Sequence, residues 1–280
     1  MKKQLEWKIS EYSPDSEPFY MEVNGEIRLA EEAYAEKIPV MLKGPTGCGK
    51  SRFVQYMAYR FNQKNGRRTP LVTVNCHEDL TADDLKGRYL LSGKFEDGPA
   101  LVAVKKGGLL YLDEVVEARQ DTIVVIHPLG DDRRIMTVER LGKVFEAPDT
   151  FSLWVSYNPG YQKKTKDLKQ STKQRFVAIN FSYPSKDIET QIIMKEAGIE
   201  QSTAQALTQI GAKIRNAKGK GLEEGASTRL LINAGKFIRK GISPLVACEA
   251  AILNPITDDV EAYRSVHDGL ADVVRSFFPE

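Results

Sequence analysis

Cysteine is scarce in this chain and poorly placed for covalent or metal chemistry. Its three cysteines, Cys48, Cys76 and Cys248, are odd in number and lack C-x-x-C spacing, which indicates neither a disulfide framework nor a zinc site. The three histidines, His77, His127 and His267, are scattered and form no ligand pattern. No apolar run approaches the roughly 20 residues of a membrane span, so no membrane association is expected. Excess charge is missing as well: 40 basic against 38 acidic residues leave +2, too little for bulk electrostatics to make nucleic acid the main partner. Met1-Lys2-Lys3 is basic, but Gln4-Leu5-Glu6-Trp7-Lys8 supplies no apolar core for a signal peptide, and the expected location is the cytoplasm. Repeats and low-complexity segments are absent. What is present is a hydrophobic content of 41% over 280 residues, enough for one large or two modest packed domains.

The apolar residues fall into short continuous runs. Ile38-Pro39-Val40-Met41-Leu42, Leu71-Val72-Thr73-Val74, Leu109-Leu110-Tyr111-Leu112, Leu153-Trp154-Val155-Ser156-Tyr157 and Phe176-Val177-Ala178-Ile179 read as strands covered on both faces. Together they predict an α/β domain over residues 21–185 with a five-stranded, mostly parallel sheet. A polar arm, residues 1–20, precedes it, with Ser13-Pro14-Asp15-Ser16-Glu17-Pro18 extended. Two insertions are expected. Arg134-Ile135-Met136-Thr137-Val138 and Lys143-Val144-Phe145 read as a β-hairpin, while residues 81–106, punctuated by Gly87, Gly93 and Gly98, read as loop-rich. Within the latter, Tyr89-Leu90-Leu91 reads equally as an exposed grip for another protein or a short buried strand. From residue 186 to 280 the pattern is helical. Ala204, Leu207, Ile210 and Ile214 share one face, Leu230, Ala234 and Phe237 another, and Tyr263, Val266, Leu270, Val273 and Phe277 a third, predicting a small all-helical lid.

Gly44-Pro45-Thr46-Gly47-Cys48-Gly49-Lys50-Ser51 matches the phosphate-binding pattern G-x-x-x-x-G-K-[ST], after a predicted strand and before a helix marked by Phe53, Met57 and Phe61. Gly44, Gly47 and Gly49 allow the backbone to bend until its N–H groups converge on phosphate oxygens, at a helix N-terminus whose dipole favours anions. Lys50 would reach the β- and γ-phosphates of ATP, and the Ser51 hydroxyl would ligate Mg²⁺. Pro45, Thr46 and Cys48 fill the variable positions. Cys48 reads first as a small filler, although a helix N-terminus lowers a thiol pKa.

Other residues complete the pattern. Asp113 and Glu114 end the third strand, where Asp113 would hold Mg²⁺ through its water shell and Glu114 would orient and activate the attacking water. Asn158, before Pro159-Gly160 at the end of the fourth strand, is placed to hydrogen-bond the γ-phosphate or that water. Arg175 precedes the fifth strand, where its guanidinium would cross a subunit boundary to a neighbour's γ-phosphate; Arg133 and Arg134 are weaker candidates for the same task. Arg229 follows Gly225-Ala226-Ser227-Thr228, with Ser227 as a helix cap, and would touch the phosphates from the lid.

These residues, in this order, resemble the AAA+ ATPases. The lid segment and inserted hairpin look more narrowly like the MoxR group. The segments from Leu42 to Lys50, from Leu112 to Asp121, from Ser156 to Gln162 and from Leu222 to Arg229 resemble the CbbQ/NorQ/GvpN family almost word for word. The resemblance implies a homo-oligomeric ring, a hexamer, with ATP and Mg²⁺ at subunit boundaries and a partner carrying a von Willebrand factor A domain. In the CbbQ branch such a pair acts as a rubisco activase; in the NorQ branch it serves nitric oxide reductase maturation. Overall likeness favours the first, although the named residues are shared by both.

Three other classes use a phosphate loop. A small-molecule kinase has no need of Glu114, Arg175 and Arg229 in this order. A DNA-handling motor would carry a stronger basic bias. A nucleotide-dependent scaffold that binds without hydrolysing does not need Glu114.

Overall fold

The computed structural model describes residues 13–159, 168–216, 225–256, 272 and 274–278. Gly160, Tyr161, Gln162, Leu222, Glu223, Glu224, Tyr263, Val266, Leu270 and Val273, all used in the sequence reading, lie outside them, as do residues 1–12 of the arm. The described chain divides into two compact units. One runs through Gly44 and resumes over Lys50–Phe181; the other holds Pro45–Gly49 and continues from Ser182.

The first unit contains helices α1 (Glu26–Ala35), α2 (Lys50–Asn65), α3 (Ala82–Lys86), α4 (Pro99–Lys106), α5 (Gln120–Val124) and α6 (Gln170–Lys173). Its strands are β1 (Val40–Lys43), β2 (Leu71–Asn75), β3 (Gly87–Tyr89), β4 (Phe95–Asp97), β5 (Leu109–Asp113), β6 (Ile135–Val138), β7 (Lys143–Glu146), β8 (Ser152–Tyr157) and β9 (Val177–Asn180). Five of them form one sheet in the order β2-β5-β8-β1-β9, and every pairing in it is parallel. All C-terminal strand ends therefore share one edge, the edge where open α/β sheets bind ligands.

Alternation along the strands separates two cores. Leu110 and Leu112 of β5 join Leu153 and Val155 of β8 on one face, packed with Leu101 and Val104 of α4. The opposite face carries Trp154, whose ring lies 5.7 Å from Phe53 and 6.1 Å from Phe61 of α2. Tyr111 pairs in register with Trp154, so it shares the α2 face. The described part of the arm follows α2: Tyr20 packs 5.2 Å from Phe53, and Ser13 accepts a hydrogen bond from Asn62 at 3.0 Å.

The predicted hairpin is β6 and β7, antiparallel. The 81–106 segment is more regular than its glycines suggest. Thr81 caps α3 with a reciprocal Asp84 bond, β3 and β4 form a short hairpin, and Pro99 opens α4. At the hairpin tip Tyr89 is in a strand but 49% exposed, and Leu91 is fully exposed, so the segment is not a buried strand. Lys86 pairs with Glu139 at 2.7 Å and Arg140 with Asp83, tying the two insertions together.

The second unit is helical beyond its loop segment: α7 (Lys186–Ala197), α8 (Gln201–Asn216), α9 (Thr228–Arg239) and α10 (Pro244–Cys248). Ala204, Leu207, Ile210 and Ile214 are buried as their spacing predicts. The face of α9 is rotated from expectation. Leu231, Ala234 and Gly235 are buried, whereas Phe237 is 41% exposed. Gly235 explains the rotation: a β-carbon there would lie 2.8 Å from Ala197 Cβ, so the missing side chain is what lets α9 approach α7. No helix among the described residues is long and apolar enough to cross a membrane.

Candidate nucleotide site

β1 ends at Lys43, paired in register with Tyr157 of β8 and Asn180 of β9. The loop then leaves the sheet edge, with the Gly44 amide still donating to the Tyr157 carbonyl at 3.3 Å. Gly47 and Gly49 take φ of +70° and +105°, left-handed values that L side chains rarely adopt. Gly47 is doubly constrained, because a β-carbon there would also lie 2.7 Å from Ser227 Cβ and Oγ and 3.3 Å from Arg229 Cβ. Pro45, Thr46, Gly47, Cys48 and Gly49 thus group with Arg229, itself exposed on the first turn of α9 behind the Ser227 cap. Cys48 is a buried thiol.

α2 starts at Lys50, whose side chain folds back so that Nζ donates to the Gly44 carbonyl at 2.8 Å. Lys50 is 6% exposed. A cation held at that depth within a loop rich in backbone amides is the donor arrangement that phosphate oxygens require. One residue on, Ser51 Oγ stands 3.5 Å from Asp113 Oδ2. The facing hydroxyl and carboxylate are hard oxygen donors and fit Mg²⁺, which keeps most of its water and takes few protein ligands. Among the described residues there is no group of three or more His, Cys, Asp or Glu side chains that could hold a metal ion.

The other oxygen of Asp113 is occupied. Oδ1 accepts Tyr111 Oη at 2.7 Å and Ser156 Oγ at 2.5 Å, and Tyr111 Oη also reaches Ser156 Oγ at 2.9 Å. Ser156 Oγ in turn accepts the Glu114 amide at 3.3 Å. Glu114 has φ +52° and ψ +49°, a left-handed conformation uncommon outside glycine, which turns the chain sharply after β5. Burial raises the Glu114 pKa above the ordinary carboxylate value, reinforced by the Asp113 and Glu117 charges and opposed by Lys50. Beside this pair, the Cys76 amide donates to the Asp113 carbonyl at 2.9 Å, and burial first, then the two carboxylates, push the Cys76 thiol up to about 12. Burial also raises the Tyr111 phenol, so it stays a protonated donor.

Tyr111, Ser156 and Cys76 were not singled out by sequence. Signals existed: Tyr111 is two residues before Asp113 and so on its face of the strand, and Ser156 is a hydroxyl in a wholly buried strand, which must find a partner.

Asn158 follows β8 at the same edge and is 6% exposed. Arg175 lies between α6 and β9, bonded through Nη1 to the Ser171 carbonyl rather than to Lys50, Ser51 or Asp113. Its Nε is buried with no acceptor among the described residues. Its charge is felt at His127, whose pKa is lowered by burial first and then by Arg175, and whose Nε2 lies 2.9 Å from Thr172 Oγ1. The weaker arginine candidates are otherwise engaged. Arg134 donates to the carbonyls of Lys37, Pro148 and Phe151 at 3.1 to 3.2 Å, and Arg133 forks onto Asp131. Arg134 therefore secures the base of the β6–β7 hairpin.

The chain is similar to known proteins over most of its length. Residues 39–176 match the AAA domain of the dynein-related subfamily, and residues 189–274 match the CbbQ/NirQ/NorQ C-terminal region. The chain is 53% identical to Protein CbbQ of Hydrogenophilus thermoluteolus over 89% of its own length and 92% of the relative's. It is 49% identical to Protein NorQ of Paracoccus denitrificans, over 90% and 92%. Among solved structures, a mutant of Thermotoga maritima RuvB superposes with a TM-score of 0.55 at 15% identity, covering 92% of this chain and 73% of that one, a likeness of fold alone.

Proposed function

The chain belongs to the CbbQ/NirQ/NorQ family of AAA ATPases, and on that premise we propose that it is a ring-forming motor whose ATP hydrolysis remodels a client protein. The family is one of ATPases, so the chemistry at issue is ATP and water giving ADP and phosphate. The observation that carries the reading is the convergence of Lys50, Ser51, Asp113 and Glu114 at one sheet edge.

In this proposal the residues from Gly44 to Gly49 cradle the phosphates with their amides, and Lys50 neutralises the β- and γ-oxygens. Ser51 and Asp113 Oδ2 hold Mg²⁺, which when bound supplies charge neutralisation on the phosphate oxygens. Glu114 takes the proton of the attacking water; its raised pKa makes it a stronger base than an ordinary carboxylate. Asn158 orients the water or γ-phosphate. Arg175, whose Nη1 donates to the Ser171 carbonyl in α6, serves a neighbour's site, and Arg229 reports nucleotide state to the lid. The 1–20 arm, the 21–185 nucleotide domain and the 186–280 lid are the working parts of each subunit.

The client we propose is inhibited rubisco, with a von Willebrand factor A domain protein as partner, in a hexamer acting in the cytoplasm. The 53% identity to CbbQ supports it; the 49% identity to NorQ supports maturation of nitric oxide reductase as the second reading. Inhibited rubisco incubated with this protein, its partner and ATP is expected to regain carboxylase activity, and the Lys50→Ala variant is expected to give none. Absence of recovery, with reductase maturation restored in a parallel assay, would transfer the assignment to the second reading.

A further inference from the structure

Glu189, on α7, belongs to no nucleotide motif, yet its carboxylate is fully engaged. It accepts Arg215 Nη1 at 2.8 Å and Nη2 at 2.7 Å from α8, and the Thr228 hydroxyl at 2.6 Å from the start of α9. Glu189 is 1% exposed. A carboxylate so far from water is tolerated only when its lone pairs are filled, and here the filling groups come from two other helices.

Two arms leave this carboxylate, and within the second unit both reach the phosphate loop. Along one, the Arg215 guanidinium lies 4.0 Å over the Tyr183 ring centroid, and the Tyr183 hydroxyl donates to the Thr46 carbonyl at 3.2 Å. Along the other, Thr228 fixes the start of α9, where Ser227 and Arg229 stand against Gly47. Arg215 Nε braces the arms by donating to the Ala226 carbonyl at 2.7 Å. Thr46 and Gly47 are consecutive. The Thr46 carbonyl and the Gly47 amide belong to one planar trans peptide and point in opposite directions, so holding the carbonyl on Tyr183 aims the amide.

We infer that Glu189 is a positioning residue for nucleotide binding, acting through Arg215, Tyr183 and Thr228 to fix the Thr46–Gly47 peptide and to seat Arg229 beside it. This rests on the reading of residues 44–51 as the phosphate site. Loss of the Glu189 charge frees the Arg215 fork, loosens its stack on Tyr183 and lets the peptide rotate, so the amide no longer meets a phosphate oxygen at no cost in order.

The test is titration of the full chain with the fluorescent analogue mant-ATP, with Tm measured on each variant. Tyr183→Phe keeps the ring beneath Arg215 and removes one exposed hydrogen bond; Kd is expected to rise about fivefold with Tm unchanged. Glu189→Gln is expected to weaken binding about tenfold, and the double variant by less than the product of the two, because both act on one arm. Wild-type affinity in Tyr183→Phe, or in folded Glu189→Gln, overturns the inference, as does a fully multiplicative double variant. If Glu189→Gln does not fold, Tyr183→Phe combined with Arg215→Lys is judged by the same criterion. Lys50→Ala separates the two levels: undiminished binding there overturns the phosphate-loop reading and this inference with it, whereas loss there alongside wild-type Tyr183→Phe overturns the tether alone.

Discussion

Ser156 in β8 donates its hydroxyl to the Asp113 carboxylate at the end of neighbouring β5. That bond, with the one from Tyr111, commits Oδ1 and leaves Oδ2 turned to Ser51. The sheet itself thus orients the carboxylate assigned to Mg²⁺, and because Ser156 also accepts the Glu114 amide, a single hydroxyl locates both acidic residues.

Ser156→Ala is expected to lower kcat about tenfold and raise the Mg²⁺ concentration needed for half-maximal activity, at a stability cost of about 1–2 kcal/mol for the lost buried bonds. ATP binding measured without Mg²⁺ should match the wild type. Steady-state assays across a Mg²⁺ series check this, and an unchanged Mg²⁺ dependence would count against the orienting role.

Glu114→Gln should bind ATP and lose hydrolysis by about 10²–10⁴-fold, the range for removal of a general base. Because the folded pKa of Glu114 is raised, the ionised base disappears at a higher pH than an ordinary carboxylate would, and the acid limb of the kcat profile should be displaced upward accordingly. The stability sign is the reverse of a salt-bridged carboxylate. A raised folded pKa means the native state binds the proton more tightly, so Glu114 lowers stability above that pKa, and the penalty vanishes below the unfolded pKa. Glu114→Gln should therefore melt higher than wild type near neutral pH and equally in acid, as a pH series of Tm values would reveal.

Arg175→Ala and Lys50→Ala are each expected to be inactive alone. Mixed one to one in a random ring, about a quarter of the boundaries carry both intact halves, and ATPase activity should recover in that proportion. No recovery in rings proven to be mixed would refute action across the boundary.

Gly47→Ala meets two obstacles at once, a left-handed φ costing about 1–2 kcal/mol and the Ser227 side chain. Nucleotide affinity should fall at least tenfold and Tm should drop; calorimetric titration and a melting curve read both.

Arg134→Ala should destabilise the fold by about 2–3 kcal/mol, since three carbonyls lose their donor. Denaturant unfolding measures this, and a loss confined to ATP turnover would return Arg134 to the catalytic candidates.

The strands were legible because parallel strands buried on both faces read as near-continuous apolar runs, as residues 109–112 and 153–155 do. The phosphate loop was legible because its residues are contiguous. Phe237 was misplaced because periodicity counts apolar side chains, whereas α9 docks through Gly235, which has none. The 81–106 segment was underestimated for a similar reason: its order comes from a capping box and from ion pairs to the distant 139–140 turn.

By itself, the sequence determined the α/β class, the phosphate loop, the acidic pair at Asp113 and Glu114, and the family likeness. These are local properties, written in runs and spacings of a few residues. Only the tertiary structure decided which oxygen of Asp113 faces Ser51, that Arg134 donates to the carbonyls of Lys37, Pro148 and Phe151, and that Glu189 joins Arg215 to Thr228. Each of those depends on which strand or helix lies alongside which, and hydrogen-bond register between distant segments is set by packing of the whole sheet and bundle.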